Sequence, residues 1–456
     1  MNKKVGPNPC KEKAKKEIMT QEPQINVGIM NEQSICFQLN GVFKTDASEE
    51  TITGIHEISF SEGDLLFEGG KHETLRFIPT EESCSFDLKG VTIGKKFHWE
   101  QKQDQRFLGE LRFIVEEEAV TAINTLSLEW YLTSVISSEM RATSSLELLK
   151  AHAVISRSWL LAQLSQKGKN NHCGNCKPKE TEEERIRWYD REDHLHFDVC
   201  ADDHCQRYQG ITQISTKAVE TAIQATRGEA LKYEEEICDA RFSKSCGGVA
   251  EKFENCWEPT PHPYLTKVID NANETDADAQ DLTIEANAEK WIRNTYDSFC
   301  NTTDKEILSQ VLNDYDQKTP DFYRWTVTYT QTTLTELVNR RTGIDFGSII
   351  DLIPVERGVS GRLIKLKIVG EKRSLIIGKE LEIRKSLSES HLYSSAFVVD
   401  KEKNNDGETI FKLTGAGWGH GVGLCQIGAA VMAHKGYDYR QILQHYYKDS
   451  EIVKVY

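Results

Sequence analysis

Three groups of residues in this chain have types and spacings that suit chemistry. The first is Thr414 to Ala429, TGAGWGHGVGLCQIGA, with glycines at 415, 417, 419, 421, 423 and 428 and His420 between two of them. Glycine at every second position permits backbone angles that other residues avoid and lets backbone approach a ligand closely, leaving His420 as the loop's main titratable group. No window fits G-x-G-x-x-G and too little chain follows for a βαβ unit, which excludes a dinucleotide loop; a tight structural turn under a helix is the alternative. The second is Glu139. Leu128, Leu132, Val135 and Glu139 are spaced 4, 3 and 4 apart, one stripe of a helix, so a carboxyl group continues an apolar face. Burial there would raise its pKa and suit a general acid; the bland reading is a helix-end glutamate turned to solvent. The third is HLHFDVCADDHC, with His194, His196, Cys200, His204 and Cys205, downstream of a CxxC at Cys173 and Cys176. This density of thiols and imidazoles points to zinc. An all-cysteine set (Cys173, Cys176, Cys200, Cys205) and a mixed set both stay open, and lone buried thiols are the bland alternative.

The elements around these residues follow from pattern and composition. The chain has 456 residues, 38% hydrophobic and 28% charged, with net charge −15. That is enough for two or three domains' worth of core, and the acidic balance argues against nucleic acid as the main partner. No apolar run reaches the length of a transmembrane helix. The basic start, MNKKVGPNPCKEKAKKE, lacks the apolar core of a secretory signal; residues 1–22 are expected to be disordered.

From Ile25, short alternating runs (INVGIM, ICFQLN, HEISF, TLRFIP) predict a β-rich region over 23–120. A helix is expected over Leu128–Met140. A second begins near Ser144, with Ser144 and Glu147 at capping-box spacing, and is apolar almost all round through Leu164, so buried. Lys150 and Arg157 lie seven apart on it, about 10 Å along the axis. Two cations on a buried helix need carboxylate partners or a wet cleft. Downstream come an acidic loop at 270–284, helices near 288–299 and 304–313, a strand at FYRWTVTYTQ, a helix ended by Gly343, two strands joined through Ser360–Arg362, and a last helix from Asp438. The whole reads as α+β, a β-rich N-terminal part followed by a mixed domain over 121–456.

Several stretches, in order, resemble the SpoIID/LytB family of bacterial cell-wall proteins: FLGELRFIV, YLTSVISSEM, LELLKAHAVISRSWLL, CQRYQG, ARFSKSCGG through PYL, and GWGHGVGLCQIGA followed by HYY. The resemblance covers residues 100–456. Two departures stand out: Cys246 and Cys425 occupy positions where the family has serine. Cys246 as a nucleophile is a rival reading. The resemblance implies a SpoIID-type catalytic domain with a glycine-rich cleft loop and a zinc-binding insertion near 170–210. It implies that Glu139, in the S-E-M position, is the catalytic acid of a lytic transglycosylase. This would cleave the bond between N-acetylmuramic acid and N-acetylglucosamine in peptide-stripped glycan strands, giving 1,6-anhydro ends. It implies substrate contacts from Lys150, Arg157, Tyr208, Gly247, Gly248, His420 and Gln426, and structural zinc held by His194, Cys200, His204 and Cys205. The expected partner is peptidoglycan, and the expected place the cell envelope or periplasm, with a cytoplasmic location left open by the missing signal. The alternative is a non-catalytic amidase enhancer that binds the wall or a cell-wall amidase.

Overall fold

The computed structural model describes residues 21–46, 50–94, 100–141, 144–166, 178–189, 194–202, 204–212, 216–273, 280–311 and 321–456. The basic start, the CxxC at Cys173 and Cys176 and the middle of the acidic loop lie outside the described residues. The fold is α+β. Alternating runs from Gln24 to Ser127 form most of an eleven-stranded, largely antiparallel sheet. Its inward positions, among them Val27, Phe37, Phe77, Phe107 and Phe113, are fully buried, as the two-residue period of a strand requires.

Nine helices follow among the described residues: α1 Leu128–Glu139, α2 Leu146–Gln166, α3 Lys217–Ala225, α4 Glu285–Arg293, α5 Lys305–Val311, α6 Gln331–Thr342, α7 Glu380–Ser386, α8 Gln426–His434 and α9 Tyr439–Tyr446. The sheet does not stand apart from them. One continuous core joins Ile25 and Phe37 to Leu132 on α1, Leu160 on α2, Ile427 on α8 and Leu443 on α9. A second core, with Trp325, Leu334, Phe346, Leu366 and Phe411, lies between α6, α7 and strands Arg324–Thr330, Ile349–Arg357, Leu363–Gly370 and Thr409–Ala416.

Helix α2 is buried on nearly every face, as its apolar composition predicts. Its cap differs from expectation. Ser145, not Ser144, receives the Leu148 N–H at 3.4 Å, while the Ser144 hydroxyl donates to the Gln310 carbonyl at 2.8 Å. Glu147 is drawn away from the cap by Lys150, at 2.7 Å, and by the Tyr439 N–H, at 2.9 Å. Where no such competitor intervenes, the capping box does form: Asp438 and Gln441 close one at the start of α9.

Candidate functional site

Ser127 caps α1 by accepting the Trp130 N–H at 3.5 Å. Leu128, Leu132 and Val135 are fully buried along one face, and Glu139, half-buried, ends the helix on the same stripe. The segment 206–209 is fastened along α1 by a series of contacts. Tyr131 Oη donates to Gln206 Oε1 at 3.3 Å, the Arg207 N–H to Glu139 Oε1 at 3.4 Å, and the Gln209 N–H to Ser134 Oγ at 3.2 Å. Tyr208 stacks on Tyr131 with ring centroids 5.3 Å apart. A carboxyl group that receives a backbone N–H yet keeps exposed surface is both oriented and open to a reactant.

One residue before this segment is the His/Cys cluster. His194, Cys200, His204 and Cys205 bring one ligand atom each to within 4.8 Å of one another. Cys205 Sγ is 3.5 Å from His194 Nε2 and from His204 Nδ1, and Cys200 Sγ is 3.9 Å from His204 Nδ1. His196 is exposed and outside the group. Hydrogen bonding from Cys205, then from the two histidines, holds the Cys200 thiol far below its ordinary value despite burial. Anchorage comes from the large sheet, where Val199–Cys200 pairs in parallel with Val27 and Gly28, and from Phe197, which stacks on His194 at 4.5 Å.

Several residues expected to contact substrate are buried among protein partners. Arg157 has no exposed surface; its Nε and Nη2 donate to the Glu129 carboxylate at 2.9 and 2.7 Å, and Nη1 donates to the Glu229 carbonyl at 2.9 Å. Of the two readings of a buried cation, the carboxylate partner is the one found, so Arg157 is a structural ion. Lys150, half-buried, pairs with Glu147 at 2.7 Å and retains surface. Tyr208 is 1% exposed and donates to Asn124 Oδ1 at 2.5 Å, inside the core. Gln426 is buried and lies 3.1 Å from the fully buried His152, whose other ring nitrogen meets Ser156 Oγ at 3.2 Å. Cys246 is 3% exposed and burial pushes its thiol well up, the opposite of what a nucleophile needs.

The glycine loop is organised around a cation that sequence reading passed over. Arg362, 1% exposed, donates from Nη1 to Cys246 O at 3.1 Å and Ser360 Oγ at 3.0 Å, and from Nε to Gly419 O at 3.3 Å. Gly421, at φ +77°, leaves room for that guanidinium: a Cβ there would sit 2.3 Å from its carbon. Gly423 similarly faces the Arg241 carbonyl, and Gly247 the backbone of Gly417. Glu251, 1% exposed, ties the Ser360 turn down through Ser360 Oγ at 2.6 Å, and its own N–H donates to the Gly421 carbonyl at 2.8 Å. The close approach that the glycines allow is therefore, at these positions, to the protein's own groups. Gly248 likewise abuts Trp291 and Tyr323.

His420 keeps some surface, but protein packs tightly round its ring. Trp257 lies edge-on at 4.6 Å, the Val422 N–H donates to Nδ1 at 3.0 Å, and the ring also hydrogen-bonds to Phe242 backbone. Burial, with Arg241, Arg384 and Arg362 nearby, pushes its pKa well below the ordinary 6.5. Expected as the loop's titratable group at neutral pH, it is instead held neutral. Arg362 and Glu251 escaped notice because a pairing that spans more than a hundred residues leaves no periodic trace; the Ser360–Arg362 turn was the sole local signal.

An α+β fold with a helix-end acid beside a His/Cys cluster is what the sequence comparisons relate to known proteins. The model of the Stage II sporulation protein family matches residues 116–233, the span that carries α1, α2 and the His/Cys cluster. A domain of unknown function, DUF8618, matches residues 251–423. Similar proteins include an uncharacterized protein of Brachyspira hyodysenteriae, 24% identical over 76% of this chain and 72% of its own length. Stage II sporulation protein D of Bacillus subtilis is 24% identical over 74% of this chain and 78% of its own. The amidase enhancer of Bacillus subtilis is 24% identical over 69% of this chain but 39% of its own length. The match over residues 116–233 makes this part of the chain similar to the SpoIID family, and the names of the similar proteins support a cell-wall-related role.

Proposed function

We propose that this protein is a peptidoglycan lytic transglycosylase of the cell envelope. Its reaction would cut the bond between N-acetylmuramic acid and N-acetylglucosamine in peptide-stripped strands. The observation that carries the reading is the setting of Glu139: half-buried at the end of an apolar stripe, with Oε1 facing the Arg207 N–H. The protonated carboxyl would give its proton to the glycosidic oxygen as that oxygen leaves the anomeric carbon. The resulting carboxylate would take the proton of the muramoyl carbon-6 hydroxyl as its oxygen bonds to the same carbon. Proton and charge balance with one carboxyl group, so a second one of glycosidase type is not needed.

The His194, Cys200, His204 and Cys205 cluster would hold zinc. For Zn–S of about 2.3 Å and Zn–N of about 2.0 Å, a tetrahedral edge between sulfur and nitrogen is about 3.5 Å, close to the separations of 3.5, 3.5 and 3.9 Å found. Four protein ligands leave no open position for water, so the ion would be structural. By fixing Cys205 it would hold the Arg207 N–H against Glu139. Lys150, which retains some surface, would meet substrate. Gly247, Gly248, His420, Tyr208, Arg157 and Gln426 would support the site from behind.

A second reading, a non-catalytic amidase enhancer, is favoured by the anchoring of His420, which makes the glycine loop a scaffold. Purified glycan strands, with and without stem peptides, digested and read by mass spectrometry, separate the two. The transglycosylase gives 1,6-anhydro ends, one water lighter than hydrolysis products, and Glu139→Gln lowers the rate by about 10² to 10⁴ while glycan binding survives. Reducing muramic acid ends would make it a hydrolase. No cleavage, with stimulation of a separate amidase that Glu139→Gln leaves intact, selects the enhancer.

A further inference from the structure

A second set of metal-type ligands lies in the core, away from the His194 cluster. Cys246 follows strand Phe242–Ser243, Asp270 follows Val268–Ile269, Cys300 lies between α4 and α5, and Cys425 caps α8. Their exposures are 3, 0, 1 and 0%, and their four ligand atoms lie within 4.8 Å of one another. Cys246 and Cys425 are the two cysteines singled out in the sequence as departures from serine.

We infer that Cys246, Cys300, Cys425 and Asp270 form a second, structural zinc site. The argument is geometric first. Cys246 Sγ and Cys300 Sγ are 3.7 Å apart, against about 3.8 Å for the edge of a zinc–thiolate tetrahedron. That is far beyond the ~2.05 Å of a disulfide. A span of 4.8 Å across all four atoms has room for one ion at the centre and is too small for the ligands of an iron–sulfur cluster, which must surround two or more irons. Three thiols and one carboxyl suit a borderline-soft ion.

The surroundings suit an anionic centre. Asp270, fully buried, has no ion-pair partner among the described residues, and a buried carboxylate without a cation is costly. Both its oxygens are instead turned to donors: Tyr446 Oη at 2.6 Å, Ser298 Oγ at 3.2 Å and the Cys300 N–H at 2.8 Å. Cys425 Sγ receives the N–H groups of Cys246 and Gly428 at 3.3 and 3.4 Å. Three thiolates and a carboxylate around a divalent ion carry a net −2, and these five donors disperse it. The site ties together four chain segments, one of which is the glycine-rich stretch itself, through Cys425.

The test uses the full chain, purified under reductant and counted for metal by mass spectrometry. Two zinc ions per chain are expected. Cys200→Ser/Cys205→Ser should keep one, and Cys300→Ser or the gentler Cys425→Ser should lose one of two. Cobalt loaded into the Cys200→Ser/Cys205→Ser protein should give a thiolate-to-cobalt charge-transfer band that Cys300→Ser abolishes. The inference is overturned by a single zinc in the unmutated protein that the double variant removes. A Cys246–Cys300 disulfide found by peptide mapping, or two zinc ions retained in Cys300→Ser, also overturns it. If the double variant does not fold, Cys425→Ser decides: loss of one zinc supports the site, and no loss overturns it. The His194 reading fails separately, since it alone predicts a loss in Cys200→Ser/Cys205→Ser.

Discussion

Replacing Gly421 by alanine tests whether the glycine loop is built around Arg362. At φ +77° the new side chain bears left-handed strain, and its Cβ would lie 2.3 to 2.6 Å from three atoms of the guanidinium. Carbon contacts need about 3.5 Å, so Arg362 must retreat by more than 1 Å, and with 1% exposure it has no solvent to retreat into. Strain costs about 1–2 kcal/mol, and loss of even one of its hydrogen bonds to Cys246 O, Ser360 Oγ or Gly419 O adds about 1.5–3 kcal/mol. The expected total is about 2.5–5 kcal/mol. Gly419→Ala is the control: φ is +94°, but the nearest atom is Ser243 Cβ at 3.2 Å, so strain alone, about 1–2 kcal/mol, is expected. Urea unfolding midpoints of both variants, each also made on an Arg362→Ala background, supply the coupling energy. Equal losses at the two glycines, or a Gly421 loss unchanged without Arg362, would refute the reasoning.

Other outcomes follow from the same geometry. Arg157→Ala should destabilise by about 3–5 kcal/mol by leaving Glu129 charged and buried, and Arg157→Met with Glu129→Leu should recover part of that; a double variant worse than the single one contradicts the ion-pair account. Cys205→Ser should release about one zinc and loosen the 206–209 segment, seen as faster amide exchange at Arg207 and Gln209. His152 is held neutral by burial, its pKa pushed down from 6.5 to about 3. The unfolded chain therefore binds the extra proton between those values, so this contribution is complete above pH 6.5 and is lost as pH falls, by up to about 1.4 kcal/mol per pH unit. His152→Gln should show a smaller drop in urea midpoint between pH 7 and pH 5 than the unmutated protein; an equal drop would assign the effect to other groups.

What was legible in the sequence is what local pattern encodes. The stripe of Leu128, Leu132 and Val135 is buried as read, and α1 ends on Glu139, one residue short of the expected end. Gly343 stops α6 at φ +69°. The four residues His194, Cys200, His204 and Cys205 fall within twelve consecutive positions, so gathering them needs only a short loop to close. Harder to read was everything that depends on a distant partner. Arg157 could face a cleft or a carboxylate; only the fold brings Glu129 to it, across 28 positions. The caging of Arg362 by glycines some sixty positions away has no sequence signature, so sequence alone points the loop's glycines towards a ligand. Cys300 carries no local signal, being isolated in sequence from the two cysteines it meets.

The first turn of α1 is held by both extremities of the described chain. Glu22 Oε1 accepts the Glu129 N–H at 3.0 Å, and Tyr456 Oη donates to Glu129 Oε1 at 2.5 Å across 327 positions. Tyr456 arrives there at the end of strand Glu451–Lys454, which pairs with Glu229–Lys232. Contacts of such separation are slow to form, and a chain emerging from the ribosome in order cannot make this one until strand Glu451–Lys454 is free. The helix that bears Glu139 is thus translated early and clamped late. Between those moments the Arg157–Glu129 pair lacks its final hydrogen bond, so nascent chains halted before residue 451 should be open to protease at α1 although the large sheet has already been synthesised.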